Sequence, residues 1–275
     1  IAEVEPRVLD VGVSDSQNFE NLCGMSSQGC VPDRTVTCAP REEHDASADT
    51  IREASVTVVD AFAKKHGVRP ASEDKVKVAA FGIDVQVAFC LPGASLFVPG
   101  AVEDTQRTIL WLYRNLASLT TLVFSLDTHR VFQIFHPAWW VDEKGNHPAP
   151  FTVISVDDVE KGRWRAVQHQ AESLEYTKKL AASGKYVLTI WPFHALLGAA
   201  SHGLVPAVYE AALFHAIARQ TQTRFELKGE EPLTENYSVL SPEVRELGGK
   251  KVGSFNETLY QTLLSHDRVY VFGQA

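Results

Sequence analysis

The chain has 275 residues, 45% of them hydrophobic and 22% charged, which suffices for a sizeable core built as one large domain or as one domain with an appendage. A formal charge of −8 and a pI near 5.7 argue against a nucleic-acid surface, because phosphate binding calls for a basic stripe and the sequence shows none. No apolar run approaches the length of a membrane span and no signal peptide is visible, so the default expectation is a soluble, cytoplasmic protein.

Residues 1 to 50 carry Pro6, Pro32 and Pro40 among many turn formers and show no sustained period, which predicts an irregular extension. Cys23, Cys30 and Cys38 lie in it at a spacing that matches no zinc pattern. From Ser47 to His66, apolar residues at Ile51, Ala54, Val58, Val59, Phe62 and Ala63 predict a helix ended by Gly67. Residues 1–75 therefore read as an N-terminal extension with one helix, ahead of a domain over 76–275.

That domain alternates strand and helix. Strands are expected at Val76 to Ile83, Thr121 to Leu126, Tyr186 to Ile190, Thr223 to Lys228 and Arg268 to Phe272. Helices are expected at Val102 to Ser118, Ala171 to Ser183 and Leu204 to Arg219. The rhythm is that of an α/β, three-layer αβα fold with a mostly parallel sheet, in which ligands collect beyond the carboxyl ends of the strands. Two insertions interrupt it. Residues 130–170, with Trp139, Trp140, His147, Phe151 and Trp164, form a long aromatic connection that reads as a lid, a surface anchor or a subunit contact, so a homo-oligomer is compatible. Residues 229–253 end in Gly248-Gly-Lys-Lys-Val-Gly253, which reads as a mobile turn and fits no phosphate-binding loop.

Asp127 and His129 close the apolar segment that starts at Leu119, and their i, i+2 spacing in extended chain points both side chains the same way. With His194 of Trp191-Pro-Phe-His194 they make a donor set suited to a divalent first-row metal, although Asp-x-His taken alone is better explained as a polar strand end with a surface histidine. Other strand ends carry Asp84-Val-Gln86-Val-Ala-Phe-Cys90, a loop ending Leu96-Phe-Val-Pro-Gly100, and Lys228-Gly followed by Tyr237-Ser238.

In this order, over residues 77 to 275, these motifs resemble the isochorismatase-like cysteine hydrolases, within them the nicotinamidase-like branch. The resemblance implies a catalytic Asp at Asp84, a catalytic Lys at Lys228, and Asp127, His129 and His194 as ligands of a divalent Zn, Fe or Mn ion. It implies hydrolysis of nicotinamide or a similar small amide to its acid and ammonia, the third member of the triad being a Cys about four residues beyond a Gly-x-Ala strand end. That strand end matches Gly273-Gln-Ala275, where the sequence given stops; with Ile at its start, the chain reads as a fragment, incomplete at the C-terminus. Alternatives are a family hydrolase with another substrate, or a non-catalytic metal-binding or scaffold homologue.

Around these residues, Gln86 faces the side of Asp84 and either bonds its carboxylate or braces a loop. Phe89, Leu96, Phe97 and Trp191 are candidate pocket walls for a flat heteroaromatic substrate, and Ala275 lies on the oxyanion side. His136 is a possible extra ligand, a donor behind the ligands or an ordinary loop histidine. His202 and His215 read as core or interface histidines.

Overall fold

The computed structural model describes residues 53–274. The three N-terminal cysteines, the first turns expected for the helix from Ser47, and Ala275 lie outside the described residues. In chain order the elements are α1 (Glu53–His66), β1 (Val78–Ile83), α2 (Val87–Cys90), α3 (Ala101–Arg114), β2 (Thr121–Asp127), β3 (Trp140–Val141), β4 (Val153–Ile154) and α4 (Val156–Glu160). They continue with β5 (Arg165–Ala166), α5 (Gln170–Ser183), β6 (Leu188–Thr189), α6 (Pro206–Ala218), β7 (Arg224–Lys228), β8 (Glu246–Leu247), β9 (Lys250–Lys251), α7 (Glu257–Leu264) and β10 (Arg268–Gly273).

The central sheet is parallel, in the order β10-β1-β2-β7. β1 is buried along nearly its whole length, as a strand covered on both faces must be, and its alternating side chains separate into two layers. Val78 and Ala80 join Leu122 and Phe124 beneath α3 and α6, whereas Phe81 joins Val123 and Leu259 beneath α7. The mixed α/β, three-layer expectation therefore stands. Gly82 is required at the middle of the sheet, since a Cβ there would come within 2.6 Å of the Phe124 ring and 2.9 Å of the Phe272 ring. Among the described residues no helix is long and apolar enough to cross a membrane.

From β1 the chain steps outward through β2 to β7, then returns to place β10 on the other side of β1. The connection thus reverses between β1 and β10, and in open α/β sheets the crevice at such a switch point is where ligands bind.

One expectation is corrected and two are refined. Tyr186 to Ile190 does not enter the parallel sheet; only Leu188–Thr189 is strand, paired antiparallel with Val153–Ile154. The insertion captures it: Ile190 donates to the Thr152 carbonyl, and Trp191 to that of Phe135. In the aromatic insertion Trp139 and Trp140 act as anchors, fully buried in a second core with Tyr176, Leu180 and Ile190. Trp139 Nε1 donates to Ser173 Oγ at 3.0 Å and Trp140 Nε1 to the Ile134 carbonyl at 2.6 Å. Finally, the glycine-rich turn is a two-residue hairpin between β8 and β9, with Gly248 and Gly249 at φ of 56° and 71°, the backbone that favours glycine at both positions. Gly248 is tied to α5 through its N–H to Glu175 Oε2 at 2.8 Å.

Candidate functional site

Parallel pairing brings the site together. Asp127 and Lys228 are direct register partners at the ends of β2 and β7. Asp84 follows β1 and is buried, with φ at 49°, a strained backbone of the kind found where side chains must be aimed. Ser125 of β2 fixes it by accepting the Asp84 N–H at 3.0 Å and donating its hydroxyl to Asp84 Oδ1 at 2.5 Å.

Lys228 Nζ lies 3.0 Å from Asp84 Oδ2, 2.9 Å from Asp127 Oδ1 and 3.1 Å from the Asn236 carbonyl, so all its hydrogens are used. Burial disfavours its charge, but the two carboxylates outweigh burial and raise its pKa. Asp127 shows the converse: burial favours its neutral form, yet Lys228 and His129 hold its carboxyl well below the usual range. For Asp84, burial prevails over Lys228 and raises the pKa.

The other Asp127 oxygen faces the imidazoles, at 2.9 Å from His129 Nε2 and 3.4 Å from His194 Nε2. Asp127, His129 and His194 are all buried, and each offers a ligand atom within 4.8 Å of the others. The chain crosses back over β2 to achieve this: His129 donates its N–H to the Ala195 carbonyl at 3.0 Å, and Leu197 donates to the His129 carbonyl at 2.9 Å. Carbonyls only accept, so Nδ1 of His129 on Gly229 O at 3.1 Å and Nδ1 of His194 on Pro192 O at 2.7 Å must carry protons. Both rings thereby turn Nε2 toward Asp127, the tautomer that a metal ion needs. The donor set fits a divalent cation of the zinc and iron class.

His136 stands beside this group, its ring 5.7 Å from that of His129 and 5.9 Å from that of His194. Its Nδ1 donates to the Arg130 carbonyl at 2.9 Å, and Nε2 is buried with no hydrogen-bond partner among the described residues. Burial pushes its pKa down to about 3, so Nε2 is a bare lone pair.

Gln86 braces the backbone of Asp127 rather than the Asp84 carboxylate. Its Oε1 accepts Asp127 N–H at 2.7 Å, while Nε2 donates to the carbonyls of Asp127 at 2.9 Å and His202 at 2.7 Å. Phe89 meets His194 edge-on at 5.8 Å, beside the ligands. Leu96 and Phe97 pack against the first core, while Trp191 packs against the second, edge-on to Phe151 at 6.0 Å. His215 is a core histidine on α6, bonded through Nε2 to the Leu119 carbonyl. His202 is half-buried, and its Nε2 lies 2.9 Å from Thr128 Oγ1. Cys90 is buried and its thiol is pushed up to about 11 by that burial, which leaves no thiolate there near neutral pH.

Several participants were not foreseen. Ser125 had one signal, a polar residue inside the apolar run Leu122-Val-Phe-Ser-Leu126. Glu235, which is buried, and Asn236, whose carbonyl accepts Lys228 Nζ, had none. Gly229 was visible only as part of a motif, but its role is steric: with φ at 82°, a Cβ there would lie 2.7 Å from His129 Cε1 and 3.1 Å from Asp127 Oδ1.

No family model and no curated protein sequence matches the chain. Among solved structures it is similar to nicotinamidases and pyrazinamidases. The yeast nicotinamidase bound to the inhibitor nicotinaldehyde is 16% identical, with a TM-score of 0.47 over 72% of this chain and 75% of that one. The Acinetobacter baumanii nicotinamidase and pyrazinamidase is 18% identical, with a TM-score of 0.43 over 73% of this chain and 72% of that one. A Pyrococcus horikoshii pyrazinamidase in complex with zinc is 15% identical, with a TM-score of 0.38 over 72% and 71% respectively.

Proposed function

We propose that this chain carries the metal centre and the acid–base pair of a cysteine amidohydrolase that converts nicotinamide or a similar small amide to its acid and ammonia. The observation that carries the proposal is the position of Lys228, whose ammonium joins Asp84 at 3.0 Å to Asp127 of the ligand set at 2.9 Å. A structural ion pair would need only one of these carboxylates. The ordered motifs at the strand ends supply the reaction class and the substrate class.

In this reading Asp127, His129 and His194 hold a divalent ion, with the His136 lone pair in reserve beside them. At that position the ion would supply Lewis acidity that polarises and orients the amide. Asp84 takes the proton of a cysteine thiol as sulfur attacks the amide carbon; the carbon–nitrogen bond breaks and that proton leaves with ammonia. Water then cleaves the thioester to the acid and returns the thiol. Lys228 stabilises the charge on Asp84 through the cycle.

Gly273 pairs with Ile83, and Gln274 N–H bonds the Ile83 carbonyl at 3.2 Å, so the end of β10 lies beside the strand end that carries Asp84, which supports a nucleophile supplied at that edge of the sheet. A cation-binding homologue without turnover is the second reading; Cys90, buried with its thiol pushed up to about 11, supplies no activated nucleophile in either.

The test is ammonia release from nicotinamide by the protein read from its whole open reading frame, with and without Asp84→Asn. Turnover that falls by orders of magnitude in the variant, with the fold intact, supports the amidase. Release that is absent from the unmodified protein across a panel of small amides leaves the cation-binding reading, and near-unchanged turnover in the variant removes the role of Asp84.

A further inference from the structure

Ser125 is a fully buried hydroxyl inside an apolar strand, and the place where it stands is where the sheet opens. β1 and β2 pair only as far as Gly82 and Phe124, while β2 continues beside β7 to Asp127 and Lys228. The ladder between β1 and β2 therefore stops one residue short of Ser125, and it no longer serves the Asp84 N–H. A buried donor needs a partner. Ser125 Oγ replaces the missing strand carbonyl by accepting that N–H at 3.0 Å.

A backbone bond alone would leave the hydroxyl hydrogen free for any acceptor. It goes instead to the side chain of the same residue, with Ser125 Oγ 2.5 Å from Asp84 Oδ1, the range of a hydroxyl bonded to a charged oxygen. One atom thus grips Asp84 by backbone and carboxylate together, at a residue whose φ of 49° is strained. Lys228 Nζ meets the other oxygen, Oδ2, at 3.0 Å. With one donor from β2 and one from β7, the carboxylate cannot turn about its Cβ–Cγ bond without losing one of them. Lys228 alone would permit that turn, because an ammonium is a point charge that serves either oxygen.

We propose that Ser125 is the positioning residue of the general base, its hydroxyl fixing the orientation in which Asp84 receives the proton of the nucleophile. The inference rests on the amidase reading above, in which the S–H bond breaks as an O–H bond forms on Asp84 and the electron pair stays with sulfur to attack the amide carbon. Because the hydroxyl is used on Asp84, Ser125 acts through that residue. Misplacing a reacting group by about 1 Å costs on the order of 100-fold in rate. The loss belongs to kcat, since the interaction matters in the transition state and not for holding the substrate.

The experiment uses the protein read from its whole open reading frame, with ammonia release from nicotinamide measured for the unmodified protein, Ser125→Ala and Ser125→Thr. Rates are expressed per folded molecule by circular dichroism, and bound metal is measured in the same samples. The expected result for Ser125→Ala is a fall in kcat of roughly 100-fold, with KM and metal content little changed. Ser125→Thr keeps the hydroxyl and should restore most of that rate. Should Ser125→Ala fail to fold, Ser125→Cys takes its place, filling the same space with a weak donor, and the same fall in kcat is expected. A serine needed only for structure would lower the thermal midpoint and leave kcat per folded molecule unchanged, and that result overturns the proposal. So does a threonine variant as slow as the alanine one, or a loss of metal that matches the loss of rate. These failures leave an active unmodified protein and the amidase reading intact, whereas an unmodified protein that releases no ammonia overturns that reading and this inference with it.

Discussion

Lys228 Nζ sits almost equidistant between two carboxylates from different strands, 3.0 Å from Asp84 and 2.9 Å from Asp127. Removing it leaves both acids buried against each other. Lys228→Met is expected to lower stability by about 3–5 kcal/mol, the usual cost of breaking a buried ion pair on one side. Urea unfolding at neutral pH measures it, and a loss below about 1 kcal/mol, the range of an exposed pair, would show that water reaches the site.

Gly229 leaves no room for a side chain between the strand end and the side chains of His129 and Asp127. Gly229→Ala must either push His129 aside or change a backbone at φ 82°, so metal affinity should fall by at least the roughly tenfold seen for disturbed ligand support. Metal content after dialysis, read beside circular dichroism, separates loss of the site from loss of the fold. Undiminished content in a folded variant would count against the placement of Gly229.

His215 predicts an acid response. Its pKa is pushed down from 6.5 to about 4 by burial, so the unfolded chain binds the proton more readily than the folded one. Stability from this group is complete above about pH 6.5 and is lost as pH falls toward 4, by on the order of 3 kcal/mol. His215→Gln should flatten that slope. Urea midpoints at pH 7 and pH 5 for both proteins check it, and equal slopes would remove His215 as the cause.

The second core predicts the behaviour of the aromatic insertion. Trp140 is fully buried, so Trp140→Ala should cost about 3–5 kcal/mol of stability, as large-to-small core changes do. A mobile cover over the site would instead alter catalysis with little change in the denaturation midpoint.

Much of the site was legible because a parallel sheet gathers strand ends, so Asp84, Asp127, His129 and Lys228 could be assigned to one edge from pattern alone. The helices α3, α5 and α6 were legible from their period. Tyr186 to Ile190 misled for a physical reason: its composition is that of a sheet strand, and the partner that claims it, Val153–Ile154, lies in a distant segment. Helix α7 was overlooked although Asn256 caps it by accepting Leu259 N–H, a local signal. Glu235 was out of reach, since nothing adjacent separates it from the exposed Glu230; only the tertiary position of Tyr176 and Lys228 does.

Two hydrophobic cores share one polar seam. The first is built on β1, β2, α3 and α6, the second on the insertion, α5 and the loop after β7. Asp127 and His129 leave the former, His194 arrives from the segment tied to the latter, and Glu235 hangs from Tyr176 within it. An ion at the seam would therefore act as a rivet that makes the two halves melt as one. Stripped of it by a chelator, the chain should lose cooperativity, with calorimetric enthalpy exceeding the van't Hoff value, and metal would govern not only how firmly this protein folds but in how many steps it comes apart.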